Sequence, residues 1–263
     1  MLIFMARVFI TGSGQGLGLM AGELLVRQGH RVVLHARNPR RASETRAALP
    51  GAEDVLVGDL STIDGMRAVA AQANDSGRFD AVIHNAGVGF AERRKTTSDG
   101  LNHVFAVNVL APYLLTALIT PPDRLVYLSS GMHRRGSAGL GDPQWSRRWF
   151  WRGRKAYADS KLFDVLLAFG VARAWPRVRS NALEPGWVPT RMGGRGAPDD
   201  LGEGHVTQAW LAVSDEPAAD VTGEYFFHRR LQEPAPVTRD VAAQDALLDY
   251  CAELTRTPLP AVV

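Results

Sequence analysis

One cysteine, Cys251, is all that the 263 residues hold, so no intrachain disulfide framework is possible. That fits a reducing compartment, and a cytoplasmic location is expected. No run of about 18 apolar residues occurs, which argues against a membrane-spanning helix. The apolar start, Met1-Leu2-Ile3-Phe4-Met5, is too short for a secretion signal and is interrupted by Arg7. It reads as the lead into a first buried strand. Neither sign of charge dominates: 30 basic and 27 acidic residues leave a net charge of +3. Arginines gather around residues 37–46 and 147–155, but no nucleic-acid motif accompanies them. A solvated face or a small phosphate site is the economical reading, and no nucleic-acid partner is expected. No repeat, low-complexity tract or linker marks a boundary, so residues 1–263 read as one domain with a sizeable core.

Strand and helix signals alternate along the chain. Apolar runs at residues 7–10, 31–36, 55–57, 79–84, 124–128, 178–182 and 224–227 predict about seven strands. Between them, residues 16–28, 40–48, 62–73, 99–119 and 155–174 predict helices, the first closed by Gly29. This order argues for an α/β fold of the Rossmann type: a doubly wound parallel sheet with helices on both faces. Ligands then bind beyond the carboxyl ends of the strands, where strand order reverses.

The loop Thr11-Gly12-Ser13-Gly14-Gln15-Gly16-Leu17-Gly18 joins the first strand to the first helix. Glycines let a backbone turn tightly and approach a pyrophosphate, and the helix N-terminus offers free N–H groups and partial positive charge. Further on, Tyr157 and Lys161 are four residues apart, on one face of a predicted helix. A phenol with a reference pKa near ~10 is a poor acid or base at neutral pH, and a nearby cation lowers that pKa. On its own the pair would be ordinary surface decoration; the glycine loop upstream changes its meaning.

The spacing TGxxxGxG, followed by YxxxK in a chain of this length, resembles the short-chain dehydrogenase/reductase family in its short single-domain form, over about residues 5–230. The resemblance implies an oxidoreductase that moves a hydride between a nicotinamide and a carbonyl or secondary alcohol. It implies Tyr157 as proton donor or acceptor, with Lys161 lowering its pKa and holding the nicotinamide ribose. Ser130, the second of Ser129-Ser130, would fix the reacting oxygen. Asn108 would hold a water linking Lys161 to solvent. Asp59 and Leu60 would hold the adenine, and Asn85-Ala86-Gly87 would steady the sheet and line the cofactor site. Pro185, Gly186, Val188 and Thr190, in Pro185-Gly186-Trp187-Val188-Pro189-Thr190, would hold the nicotinamide. Asp59 or Ser61 also reads as a helix N-cap. No metal ligand set is assigned. Members of the family often pair through the long helix and the next one, which implies a homodimer or homotetramer.

An acid at the end of the second strand would bind the ribose hydroxyls of NAD. Here the sequence is His35-Ala36-Arg37-Asn38. Arg37, helped by Arg40 and Arg41, would take the 2′-phosphate of NADP, so NADP is expected over NAD. Ser130 and Tyr157 are 27 positions apart, which leaves an insertion at about 131–154 rich in tryptophan and arginine. Retinol-dehydrogenase-like and protochlorophyllide-reductase-like members carry a similar one. Its aromatics could form a lid, touch a membrane surface or pack the insertion against the domain. Residues 191–206 hold five glycines and read as a mobile substrate loop. The alternative, a protein of this fold that binds NADP without turnover, is disfavoured by the intact set Asn108, Ser130, Tyr157 and Lys161.

Overall fold

The structure, a computed structural model, describes residues 5–147 and 150–262. The expected lead-in at Met1–Phe4, and Arg148 and Trp149 of the insertion, lie outside the described residues. Along β1 (Arg7–Ile10) the side chains alternate: Val8 and Ile10 enter one core, Phe9 the other. Both faces are apolar because helices cover both, the situation in which parallel sheets are stable. The other strands are β2 (Arg31–Ala36), β3 (Asp54–Val57), β4 (Ala81–His84), β5 (Arg124–Leu128), β6 (Arg179–Glu184), β7 (Tyr225–Phe227) and β8 (Arg230–Leu231). They form one sheet in the order β3-β2-β1-β4-β5-β6-β7-β8, parallel except for β8. Strand order reverses between β1 and β4, so the loops after these two strands flank the crevice where ligands of such sheets bind.

Helices α1 (Gly16–Arg27), α2 (Pro39–Ala48) and α7 (Val206–Val213) close one core. The other core is closed by α3 (Ile63–Asp75), α4 (His103–Phe105), α5 (Ala111–Leu118), α6 (Gly153–Ala174) and α8 (Val241–Thr255). Leu56, Leu60, Phe163 and Leu166 belong to that second core.

Several expectations need correction. Among the described residues the sheet has eight strands, where about seven were expected. The eighth is a two-residue return reached through His228 and Arg229, both with positive φ (47° and 61°). That backbone is the mirror-image turn suited to a tight hairpin. The cap of α3 is neither Asp59 nor Ser61 but Thr62, whose hydroxyl accepts from Gly65 N at 3.1 Å. The long helix starts at His103 rather than residue 99, because the Asn102 side chain accepts from Val104 N and Phe105 N. It is also not continuous. A π-helical turn, Ala106–Leu110, separates α4 from α5. Pro112 lies four residues after Asn108 and has no N–H to return to its carbonyl, so an α-helical bond is missing there. Helices α7 and α8 were not anticipated.

Candidate active site

The glycine loop is held by its own neighbours. Thr11 Oγ1 accepts from Ala86 N at 3.0 Å, and Asn85 Nδ2 donates to the Thr11 and Gly12 carbonyls at 2.9 and 3.1 Å. The loop after β4 therefore buttresses the loop after β1. Ser13 is buried, with its hydroxyl donating to Ile10 O and accepting from His35 N. The hydroxyls of Thr11 and Ser13 thus shape the loop from beneath. Gly12 has φ +62°, and a Cβ there would stand 2.7 Å from Ala86 Cα. A Cβ at Gly18 would collide with the Asn85 amide and Ser13 Cα. Gly14, Gln15 and Gly16 are exposed, Leu17 half-buried. No side chain caps the first turn of α1, whereas Asn38 caps α2 and Thr62 caps α3. A glycine cradle ending in uncapped helix N–H groups fits a dinucleotide pyrophosphate.

His35 is a site residue that the sequence reading noticed only as a non-acid. It is buried, and its Nδ1 accepts from Gly12 N at 3.0 Å. The ring proton must then be on Nε2, which donates to Gly58 O at 2.9 Å. Burial holds His35 below its ordinary pKa, so the ring stays neutral and keeps this acceptor. One imidazole thereby ties together the loops after β1 and β3. Its signal was a polar ring inside the apolar run Arg31–Ala36.

Arg37 follows β2, is exposed, and has no ion pair or side-chain hydrogen bond among the described residues. Arg40 and Arg41, the proposed helpers, both pair with Glu44, at 3.8 and 2.6 Å. Asp59 is exposed and accepts from Ser61 N at 2.9 Å. Leu60 is buried in the core, so of these two only the Asp59 side chain is at the surface.

Tyr157 and Lys161 are both buried, one turn apart on α6. Lys161 Nζ lies 5.8 Å from the Tyr157 ring centroid. It donates to Leu128 O at 2.7 Å, which fastens α6 to the end of β5. The next two residues divide in role. Ser129 is buried and donates to Lys161 O at 2.7 Å. Ser130 is half-buried and accepts from Met132 N at 3.3 Å, capping a short 3₁₀ turn at Gly131–Arg135. Asn108 sits in the π turn. Its Oδ1 accepts from Val88 N at 2.8 Å, and its Nδ2 donates to Val88 O at 3.1 Å and Ser160 Oγ at 3.0 Å. A Cβ on Gly87 would fall 3.5 Å from Asn108 Oδ1 and 3.7 Å from Lys161 Nζ. Asn85-Ala86-Gly87 thus runs from the glycine loop to Lys161. Phe90, just beyond it, meets the Tyr157 ring edge-on at 6.2 Å.

After β6, Gly186 has φ +85°, and Asp199 folds back to accept from Trp187 N. Val188 is buried, Pro185 half-buried. Thr190 Oγ1 accepts from Gly193 N at 3.1 Å, so it shapes the start of the glycine-rich loop. Met192 in that loop lies against Gly89. In the insertion, Trp145 is buried and Trp151 donates to Glu92 O at 2.9 Å, while Phe150 is exposed. The two tryptophans meet edge-to-face at 6.1 Å. Packing against the domain accounts for Trp145 and Trp151.

Residues 6–137 match the family model of short chain dehydrogenases. The chain is 39% identical to the short-chain dehydrogenase chry4 of Gibberella zeae over 259 residues, covering 97% of this chain and 99% of the relative. It is 28% identical to human retinol dehydrogenase 13, covering 97% and 86% of the two chains. Among solved structures it is similar to a blue fluorescent protein from a metagenomic library, crystallised with NADPH, at a TM-score of 0.68 and 21% identity. That match covers 84% of this chain and 95% of the other.

Proposed function

The chain belongs to the short-chain dehydrogenase family and is an oxidoreductase of it; from that premise we propose that it is an NADP(H)-dependent reductase or dehydrogenase acting on a small-molecule ketone, aldehyde or secondary alcohol. The observation that carries this reading is the Tyr157–Lys161 pair, buried beside Gly87 at the end of the loop that also supports the glycine cradle.

When bound, the nicotinamide carries the hydride; the chain supplies orientation and proton transfer. In reduction Tyr157 gives its phenolic proton to the carbonyl oxygen, and in oxidation it takes the proton back. Lys161 stabilises the phenolate and holds the nicotinamide ribose. Ser130, the partly open serine of the two after β5, donates to the reacting oxygen. Asn108 holds the irregular helix beside Lys161, where a water passes the proton to solvent. Gly12, Gln15, Gly16, Leu17 and Gly18 receive the pyrophosphate. Asp59, ahead of the buried Leu60, borders the adenine, and Pro185, Gly186, Val188 and Thr190 border the nicotinamide.

Preference for NADP over NAD rests on Arg37, which no carboxylate engages among the described residues, and on the lack of an acid at the end of β2. The NADPH complex of a structural neighbour agrees with it. A panel of ketones, aldehydes and alcohols, followed by NADPH and NADH absorbance, tests both parts. Turnover with NADPH is expected to exceed that with NADH at least about tenfold in kcat/KM, given one charge-assisted contact. Arg37→Asp is expected to raise the KM for NADPH by roughly 10- to 100-fold and to improve use of NADH. An unchanged NADPH/NADH ratio in that variant would sink the assignment. Cofactor binding with no turnover across the panel would favour a non-catalytic NADP-binding protein instead.

A further inference from the structure

Behind Tyr157 the core contains an ion pair that the proton-transfer scheme does not use. Lys161 Nζ donates to Asp164 Oδ2 at 2.7 Å, and the two side chains are 7% and 3% exposed. Tyr157, Lys161 and Asp164 stand at positions i, i+4 and i+7 of α6, one face of the helix. An ammonium has three N–H donors. One goes to Leu128 O and one to Asp164, leaving one for Tyr157 and the ribose. Among the described residues Asn108 makes no hydrogen bond to Lys161; its amide bonds Val88 and Ser160. Asp164 is the one carboxylate on Lys161 among the described residues.

A lysine buried to this degree without an anion loses its proton several pH units early. A neutral amine would have only two N–H donors, both needed by Leu128 O and Asp164, and no charge with which to stabilise the Tyr157 phenolate. We propose that Asp164 is a positioning residue for the reaction: it keeps Lys161 cationic and aimed at Tyr157, so that support for the phenolate lasts into the alkaline range. This rests on the proposed oxidoreductase role of Tyr157 and Lys161.

The charges are consistent with this. Burial opposes the Lys161 cation, but Asp164 and then Tyr157 outweigh it and hold Lys161 above its ordinary value. Burial pushes the Asp164 carboxyl up to about 7, with Lys161 pulling against it. The other titratable groups facing the pair are Tyr157 on α6, Tyr127 on β5 and, through Thr116 on α5, His84 on β4. Burial pushes Tyr127 up and His84 down to about 3. Both therefore stay neutral through the neutral and mildly alkaline range and leave the charge on Lys161 to Asp164.

The chain has three lysines, Lys95, Lys155 and Lys161, so ¹³C-lysine labelling yields three resolvable Cε signals. Lys161→Met assigns the third. In the wild-type protein Lys161 is expected to titrate above the ~10.4 of a free lysine. In Asp164→Asn, which keeps the shape and removes the charge, its midpoint is expected to fall by about two pH units or more. The alkaline limb of kcat for NADPH-dependent carbonyl turnover is expected to move down with it. A wild-type midpoint at or below the free-lysine value overturns the proposal, and needs no variant to fold. So does an unchanged midpoint in Asp164→Asn, or a shifted midpoint with a pH–rate profile superimposable on the wild type. If the wild-type protein turns over no carbonyl or alcohol, the reaction and this role in it both fail. The titration then still reports separately whether the ion pair governs Lys161.

Discussion

Tyr157→Phe is expected to lower kcat about a thousandfold while leaving NADPH binding within a few-fold of wild type. Proton transfer by a positioned side chain is worth roughly 10² to 10⁴ in rate. The substitution removes only the hydroxyl. The ring keeps its edge-on contact with Phe90 and its place over Lys161, so neither the core nor the ribose side of the site is emptied. Steady-state kinetics with the best substrate of the panel, beside a fluorescence titration of NADPH, gives the answer. Full turnover in Tyr157→Phe would remove Tyr157 from the mechanism and shift attention to a solvent-borne proton.

The second large effect falls on stability. Trp145→Ala should destabilise the protein by about 3–5 kcal/mol, the usual range for truncating a buried Trp. In a chain of this size that is a fall in Tm of roughly 6–20 °C. Trp145 is 3% exposed, and its Nε1 donates to Asp159 Oδ2 at 3.1 Å. Asp159 also accepts from Ser137 N at 2.8 Å and Lys155 Nζ at 2.7 Å. Asp159, two residues after Tyr157 on α6, thus ties both Trp145 and Ser137 of the insertion to that helix. Removing it leaves a cavity and takes one donor from a largely buried carboxylate. A thermal scan reads the loss directly, and Trp145→Phe should recover part of it by restoring volume. A Tm within about 2 °C of wild type in Trp145→Ala would mean that the insertion is held elsewhere.

The parts of the fold that were readable share one property: the signal lies in neighbouring residues. Thr11 to Gly18 announces a tight turn between an apolar run and a helix, and Asn85-Ala86-Gly87 and Pro185-Gly186 do the same after later strands. The order of strands and helices followed from periodicity, and with it the parallel sheet. Boundaries slipped where a single side chain decides them, as at Thr62 and Asn102. The β7–β8 return was hidden because His228-Arg229 takes a backbone that usually calls for Asn-Gly or Gly. Trp145 likewise adopts φ 55° with no local sign of it. The π turn at Asn108 did leave a trace in Pro112, a residue without an N–H four positions on, which helical periodicity overlooks.

By itself the sequence determined the family, the layered α/β sheet, the glycine cradle and the Tyr157–Lys161 spacing, because each is written in short stretches whose backbone demands are local. Only the tertiary structure decided what surrounds that pair. It buried Asp164 against Lys161, turned Ser129 inward and left Ser130 open, drew His35 under Gly12, and left Arg37 uncommitted while Glu44 took Arg40 and Arg41. Burial and distance between elements set the charge on a lysine or the tautomer of a histidine, and neither exists until the strands and helices have packed.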